Sequence, residues 1–469
     1  MKTNRLIFPG FWFGKTSVED AKKLASLGVG GFCFYGGTPE ELKNLIDTLQ
    51  SLAPHPMLFA ADYEAGLGRW HKGLPILPTN YTLGLANRED LALKKGFLTA
   101  VQARELGINW VFAPVVDLAD TPNNPIVNTR AFSADPKTVA RMARAFAIGL
   151  SDGGCLNCFK HFPGHGSTVQ DSHLTLPEVT KKLLALKEED LLPYRELITR
   201  ADSIMVSHLL VKCLDDKMPA SFSKKIMTDL LRKTMYYKGL VVTDALTMKA
   251  TNGLNPVDAF KAGADILLCP EDPFKTIEDL AATVKQNPEF KEKVFYSIST
   301  QEMMLALLKT MHPLQCRDIK NSCAQLNREA AYAVLQKLNL QITINKRRNI
   351  NYLILDENPP AVLPPFLKTL QENGVKLTPY KENNKKIELL IALNFDDYAA
   401  FKGTVNLNEK QKTILQNAID RAKKTLLISF GSPYINEGLR NLEAFLPLAS
   451  KGDDFQIAAA RNLCGFLNF

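Results

Sequence analysis

Eight short apolar runs separated by helix-like sequence occupy the first ~270 residues, and few folds accommodate such a pattern. The runs are RLIFPGF, GGFCFYG, MLFAADYE, NWVFAPVVDL, LNCFKHF, SIMVSHLLV, GLVVTDAL and ADILLCP. Intervening stretches such as TPEELKNLIDTLQSL and DPKTVARMARAFAIGL carry helix start signals, with Thr38 and Asp135 as N-caps, each followed by a proline. Strands alternating with helices predict an α/β fold with a parallel sheet, and eight such units fit a (β/α)8 TIM-type barrel. Polar residues stand where the apolar runs end: Asp62 and Glu64, Asp117, Lys160 and His161, His208, and Asp244. A barrel gathers its strand ends at one mouth, so these residues are expected to meet there.

From about 274 to 345 the pattern turns helical and amphipathic. Beyond the Lys346-Arg347-Arg348 cluster, a second alternation begins with INYLILDE, KIELLIALNF, TLLISFGSPYI and AFLPLAS. Two domains are expected: residues 1–345 as the barrel with trailing helices, and 346–469 as a smaller doubly wound α/β sandwich. The formal charge of +8 is mild for 469 residues and is spread along the chain, which argues against a nucleic-acid partner. No apolar run approaches the ~20 residues of a membrane span. The N-terminal LIFPGFWFG is short, holds Pro9 and Gly10, and lacks a small-residue cleavage site. Eight scattered cysteines, including the Cys155/Cys158 pair in an apolar run, suit a reducing compartment. A cytoplasmic location is the expectation.

The stretch KHFPGHGSTVQDSH, residues 160–173, concentrates three of the chain's seven histidines. Pro163, Gly164 and Gly166 suggest a loop that can turn and move. Two chemistries suit it. His161, His165, Asp171, His173 and His208 could assemble a metal site, or Asp171 could polarise His173 for proton transfer near neutral pH. Asp244, at the end of GLVVTDAL, reads as a nucleophile, a metal ligand or a helix cap. In AADYEAGLGRW, the residues Asp62, Glu64 and Arg69 suit a polyhydroxylated ligand, with Trp70 stacking on a sugar or packing. Arg130 lies in the asparagine- and proline-rich NNPIVNTRAFSADP.

These segments together resemble glycoside hydrolase family 3, in its β-N-acetylglucosaminidase branch. KHFPGHG…DSH is similar to the branch's loop, DYEAG…RW to its D-x-E-G-G…R-F, NTRAFSADP to its R-S-F-x-x-D-P, and VVTDALTM to its nucleophile segment. LLISFGSPY and AAARNLCG resemble parts of the family's smaller C-terminal domain. The resemblance implies Asp244 as catalytic nucleophile, His173 as general acid/base and Asp171 as the partner that orients it. It implies that Asp62, Arg69, Arg130, Lys160 and His161 hold sugar hydroxyls, with no metal and no organic cofactor. The implied substrate is a carbohydrate, terminal β-linked N-acetylglucosamine on muropeptide fragments. Ser167 stands where the branch usually has aspartate, Ala65 where it has glycine, and Thr243 where it has a small or acidic residue. The spacing from Asp62 to Arg69 is one residue short. The alternatives are a phosphorylase or β-glucosidase of the same family, a metal-dependent hydrolase built on the histidines, and a catalytically dead sugar-binding protein.

Overall fold

The computed structural model describes residues 2–172, 174–338, 349–356, 362–383, 386–397, 405 and 407–465. Its first half contains β1 (Ile7–Phe8), β2 (Gly10–Trp12), β3 (Gly31–Tyr35), β4 (Leu58–Ala61), β5 (Trp110–Val111) and β6 (Cys158–Phe162). There follow β7 (Glu178–Val179), β8 (Ser203–Val206), β9 (Leu210–Val211), β10 (Leu240–Thr243) and β11 (Leu267–Leu268). β1 and β2 are one strand interrupted at Pro9, which has no N–H to donate. Parallel ladders run β2–β3–β4–β5, β6–β8–β10 and β11–β1. Bridges Trp110↔Leu156 and Val115↔Lys160 join the strands around β5 and β6, and Val242↔Ile266 joins β10 to the β11 segment. The ring closes as an eight-membered parallel barrel, with each of the eight apolar runs supplying one member. β7 and β9 pair with each other outside it, an addition that periodicity did not announce.

The barrel interior is packed with Phe8, Cys33, Leu58, Ala60, Trp110, Phe112, Leu156, Cys158, Leu240, Val242 and Leu268. Strand side chains alternate between faces, so residues two apart share a side. Counting on from the interior pairs Leu58/Ala60, Leu156/Cys158 and Leu240/Val242 arrives at Asp62, Lys160 and Asp244. Each is the next inward position, above the last apolar layer. The same count takes Phe8 and Gly10 to Trp12, and Cys33 to Tyr35. The chemistry of the mouth is thus fixed by the pleat of strands whose lower residues are held in an apolar core.

The two N-caps are formed as expected. Thr38 and Glu41 complete a capping box on Pro39–Leu52, and Asp135 accepts from Thr138 N at the start of Pro136–Asp152. The Cys155/Cys158 pair consists of buried free thiols, each pushed up to about 12 by burial, which is inert packing rather than redox chemistry.

The second sheet contains β12 (Asn349–Leu355), β13 (Lys376–Pro379), β14 (Leu390–Asn394), β15 (Thr425–Ser429) and β16 (Ala444–Pro447), in the order β13–β12–β14–β15–β16, all parallel. Four of these strands match the apolar runs. β13 does not, because it is an edge strand whose side chains are half-buried or exposed and which ends in a proline. The expected boundary at 345/346 and the Lys346-Arg347-Arg348 cluster lie outside the described residues. The helix Ile319–Leu338 packs on Asn80–Ala86 and Glu89–Glu105 of the barrel and on Asp453–Leu463 of the small unit. One apolar core runs from Phe132 and Phe146 in the barrel through Leu326 and Val334 to Ile428, Leu446 and Phe455. Removing the chain beyond β12 would therefore expose buried apolar surface. Among the described residues, no helix is long and apolar enough to cross a membrane.

Candidate active site

A cavity of about 340 Å3 opens at the carboxyl end of the barrel strands. Nine of the residues singled out in the sequence line it: Asp62, Glu64, Arg69, Trp70, Arg130, Lys160, His161, His165 and Asp244. Ser172 lines it as well, and Asp171 is buried beside it in sequence. His173 lies outside the described residues, so its role rests on the sequence.

The floor is a chain of charge-assisted hydrogen bonds. Lys160 Nζ, buried on β6, donates to Asp62 Oδ1 at 2.6 Å and lies 3.2 Å from Glu64 Oε2. Arg130 forks onto the same glutamate, with Nε to Oε1 at 2.6 Å and Nη2 to Oε2 at 3.2 Å. Burial would raise the Glu64 carboxyl, but the charges of Arg130 and Lys160 override it and hold the group well below the usual range. Burial would lower Lys160, and Asp62 and Glu64 reverse that, keeping the ammonium charged. Two carboxylates and two cations thus compensate one another around the sugar-sized space.

His161 extends this network. Its Nδ1 lies 2.6 Å from Asp117 Oδ2, and Arg130 Nη2 lies 3.4 Å from its Nε2. A guanidinium only donates, so Nε2 is the acceptor and the proton sits on Nδ1, facing Asp117. Asp117 Oδ1 also accepts from the backbone N–H groups of His161 and His165. One buried carboxylate therefore fixes both histidines.

The glycines of the loop also have a packing role. At Gly164 (φ 138°), a Cβ would lie 2.7 Å from the Asp190 side chain, and at Gly166 one would lie 2.3 Å from Leu118 O. The glycines permit close packing. Asn124 Nδ2 donates to His165 O and Gly166 O, while Lys181 bridges Asp120, Glu189 and Asp190 underneath. His165 is buried, with Nδ1 2.8 Å from Thr168 Oγ1 and Nε2 3.4 Å from Ser172 Oγ. Thr168 Oγ1 donates to His165 O, so it accepts from Nδ1.

Burial lowers His165 to about 4, against the opposing pull of Asp117. A histidine with a folded value below its ordinary 6.5 leaves the unfolded chain binding more protons. Stability is then intact above pH 6.5 and is lost as pH falls toward 4, by about 3 kcal/mol. Urea unfolding of wild type and His165→Gln at pH 7 and pH 4.5 should show a shallower acid loss in the variant. Equal losses would contradict this placement.

Asp244 follows β10. Its N–H bonds to Val206 O, and its Oδ1 accepts from Ala245 N at 2.8 Å. The cap of the next short helix, Lys249–Thr251, is Met248, so the capping reading of Asp244 does not hold. His208 is buried behind it, with Nδ1 on Ser221 Oγ at 2.6 Å and Nε2 on Ala245 O at 3.1 Å. Among the described residues, no group of three or more histidines, cysteines, aspartates or glutamates has the arrangement of a metal site. Thr243 Oγ1 accepts from Leu268 N, which gives that departure from the branch pattern a structural use.

Asp117 was visible as a strand-end residue but was given no role, and Glu64 was read only as one of the ligand-holding groups of its loop, although each organises the residues beside it. Trp12 and Tyr35 were missed. Their rings stack 4.8 Å apart on the cavity wall, with Trp70 edge-on to Tyr35 and its Nε1 donating to Asp62 O. The same count by two along β2 and β3 would have found them.

Residues 1–298 match the family model described as "Glycosyl hydrolase family 3 N terminal domain". A "Beta-hexosaminidase" of Idiomarina loihiensis is 32% identical over 292 residues, which are 59% of this chain and 88% of that protein. Among solved structures, NagZ from Neisseria gonorrhoeae is 28% identical with a TM-score of 0.58, covering 70% of this chain and 97% of its own. A family 3 β-N-acetylglucosaminidase from Paenibacillus sp. str. FPU-7 aligns over 99% of this chain and 96% of its own, with a TM-score of 0.84 and 24% identity.

Proposed function

The chain belongs to glycosyl hydrolase family 3 and is a glycoside hydrolase, and from that premise we propose that it is a retaining exo-β-N-acetylglucosaminidase. The observation that carries the reading is the convergence of Asp62, Arg130, Lys160 and His161 on one cavity whose wall also bears Asp244. The first group presents fixed donors and acceptors to sugar hydroxyls, and the carboxylate of Asp244 faces the same space. In the first step Asp244 attacks the anomeric carbon as the glycosidic bond breaks, and His173 gives its proton to the departing oxygen. In the second, His173 takes a proton from water, which displaces Asp244 and releases the sugar with retained configuration. A histidine, with an ordinary value near ~6.5, exchanges protons readily at neutral pH. Asp171 holds it in orientation. All of these groups belong to the chain itself.

The substrate class follows the branch that the KHFPGHG…DSH loop resembles: terminal N-acetylglucosamine on peptidoglycan-derived muropeptides, cleaved in the cytoplasm. The test is the initial rate on paired aryl β-glycosides, N-acetylglucosaminide against glucoside, with and without phosphate and a chelator. Cleavage of the acetamido sugar, unaltered by chelator and yielding free sugar in the presence of phosphate, is the expected result. Sugar 1-phosphate as product would make the enzyme a phosphorylase. Preference for glucoside, or loss of activity with chelator, would contradict the proposal. Muropeptide against chito-oligosaccharide then tests the natural substrate, with faster release from muropeptide expected.

A further inference from the structure

The small sheet reaches one cavity arginine and the turn that carries the other. Asp397 lies just beyond β14. Its Oδ1 accepts from Thr129 Oγ1 at 2.9 Å, and its Oδ2 lies 3.7 Å from Arg69 Nη1 and 4.0 Å from Lys451 Nζ. Thr129 immediately precedes Arg130 in the short turn Asn128–Arg130. One residue earlier, Asn128 (φ 35°) donates from Nδ2 to Ser432 Oγ at 3.2 Å, just past β15. The carboxyl ends of two strands of the small sheet therefore hold the segment that carries Arg130, and Asp397 also reaches Arg69.

A latch between the two units does not call for a charge. Neutral hydrogen bonds already join them: Thr79 Oγ1 donates to Ala449 O at 2.8 Å, and Thr82 Oγ1 to Leu448 O at 2.7 Å. A carboxylate that is only 8% exposed, as Asp397 is, costs desolvation unless nearby cations offset it. Arg69 has the opposite need. Its side chain is 32% exposed on the cavity wall, where a long arginine has many rotamers and loses side-chain entropy when fixed. A buried anion on the far side of the guanidinium selects one orientation before any sugar arrives.

We propose that Asp397 is a positioning residue of the active site, through which the small domain fixes Arg69 against the sugar and steadies the Arg130 segment. The proposal rests on the reading of the cavity as the glycoside site. Kinetics are therefore compared with wild type on whichever aryl β-glycoside the wild type cleaves fastest, so that a wrong sugar assignment leaves the comparison intact.

Asp397→Asn keeps an oxygen for Thr129 and removes the charge facing Arg69. It is expected to raise KM several-fold, on the order of the worth of a partly exposed ion pair, with kcat and thermal midpoint little changed. Arg69→Ala should show a comparable rise, and adding Asp397→Asn to it should cause no further loss, because the two act as a unit. Thr129→Val, which removes only the neutral bond, should have a smaller effect on KM than Asp397→Asn. A wild-type KM in Asp397→Asn would overturn the proposal. So would a fall in thermal midpoint without a KM change, or losses that multiply independently in the double variant.

Discussion

Asp244→Ala should lower kcat on an aryl β-N-acetylglucosaminide by a factor on the order of 10^4 or more, the scale seen when a covalent nucleophile is removed. The protein should stay folded. The side chain stands at the end of β10, above the apolar layer of Leu240 and Val242, and its carboxylate accepts a hydrogen bond from the neighbouring Ala245 N–H. Losing that bond costs about 1 kcal/mol, far less than an intact barrel core supplies. The void left by the carboxylate also gives a positive test. Azide should restore part of the rate and yield a glycosyl azide of inverted configuration, because it attacks from the face that Asp244 has vacated. Near-normal turnover in Asp244→Ala would remove the nucleophile assignment, and loss of the folded state would mean that Asp244 acts structurally.

The second large effect is on stability. Lys160→Met should destabilise the protein by about 3–5 kcal/mol, the range found when one partner of a buried ion pair is taken away. Lys160 is almost wholly buried between Asp62 and Glu64, and Glu64 is itself buried with Arg130 as its remaining cation. Methionine has similar length and is apolar, so the loss comes from uncompensated charge and not from a void. Asp62→Asn in the Lys160→Met background should recover part of the loss, since Lys160 is the cation that the Asp62 carboxylate meets while Glu64 keeps Arg130. Urea titration of the single and double variants checks both statements. A loss below about 1 kcal/mol in Lys160→Met would mean that water, not Lys160, compensates the two carboxylates.

The barrel was legible because each of its strands is a compact apolar run, and two of the intervening helices carry N-caps, Thr38 and Asp135, that the structure confirms. The site was legible for a related reason. In a packed barrel the inward side chains are apolar until the mouth, so the first polar residue on that side is close to the chemistry. Asp62, Lys160 and Asp244 obey this rule. Glu64 and Asp117 do not advertise their roles, because those roles lie in which side chains they hold, and partners 44 or 66 residues away leave no local trace. The same holds more strongly for Asp397, which meets Thr129 across 268 residues. The packing role of the loop glycines was not legible, because sequence shows that a glycine can turn but not which neighbour it admits: Asp190 at Gly164 and Leu118 at Gly166. β13 was invisible because an edge strand with half-buried residues carries neither a continuous apolar run nor a clean alternation.

The central claim is a covalent glycosyl-enzyme on Asp244 formed from an N-acetylglucosaminyl donor, and trapping tests it most directly. Incubation with a fluorinated N-acetylglucosaminyl fluoride, whose breakdown is slowed at the second step, should inactivate the enzyme. Digestion and mass spectrometry should then place one sugar on the peptide containing GLVVTDALTM, at Asp244. Label on another carboxylate, or steady turnover of β-N-acetylglucosaminides with no trappable intermediate, would contradict the account.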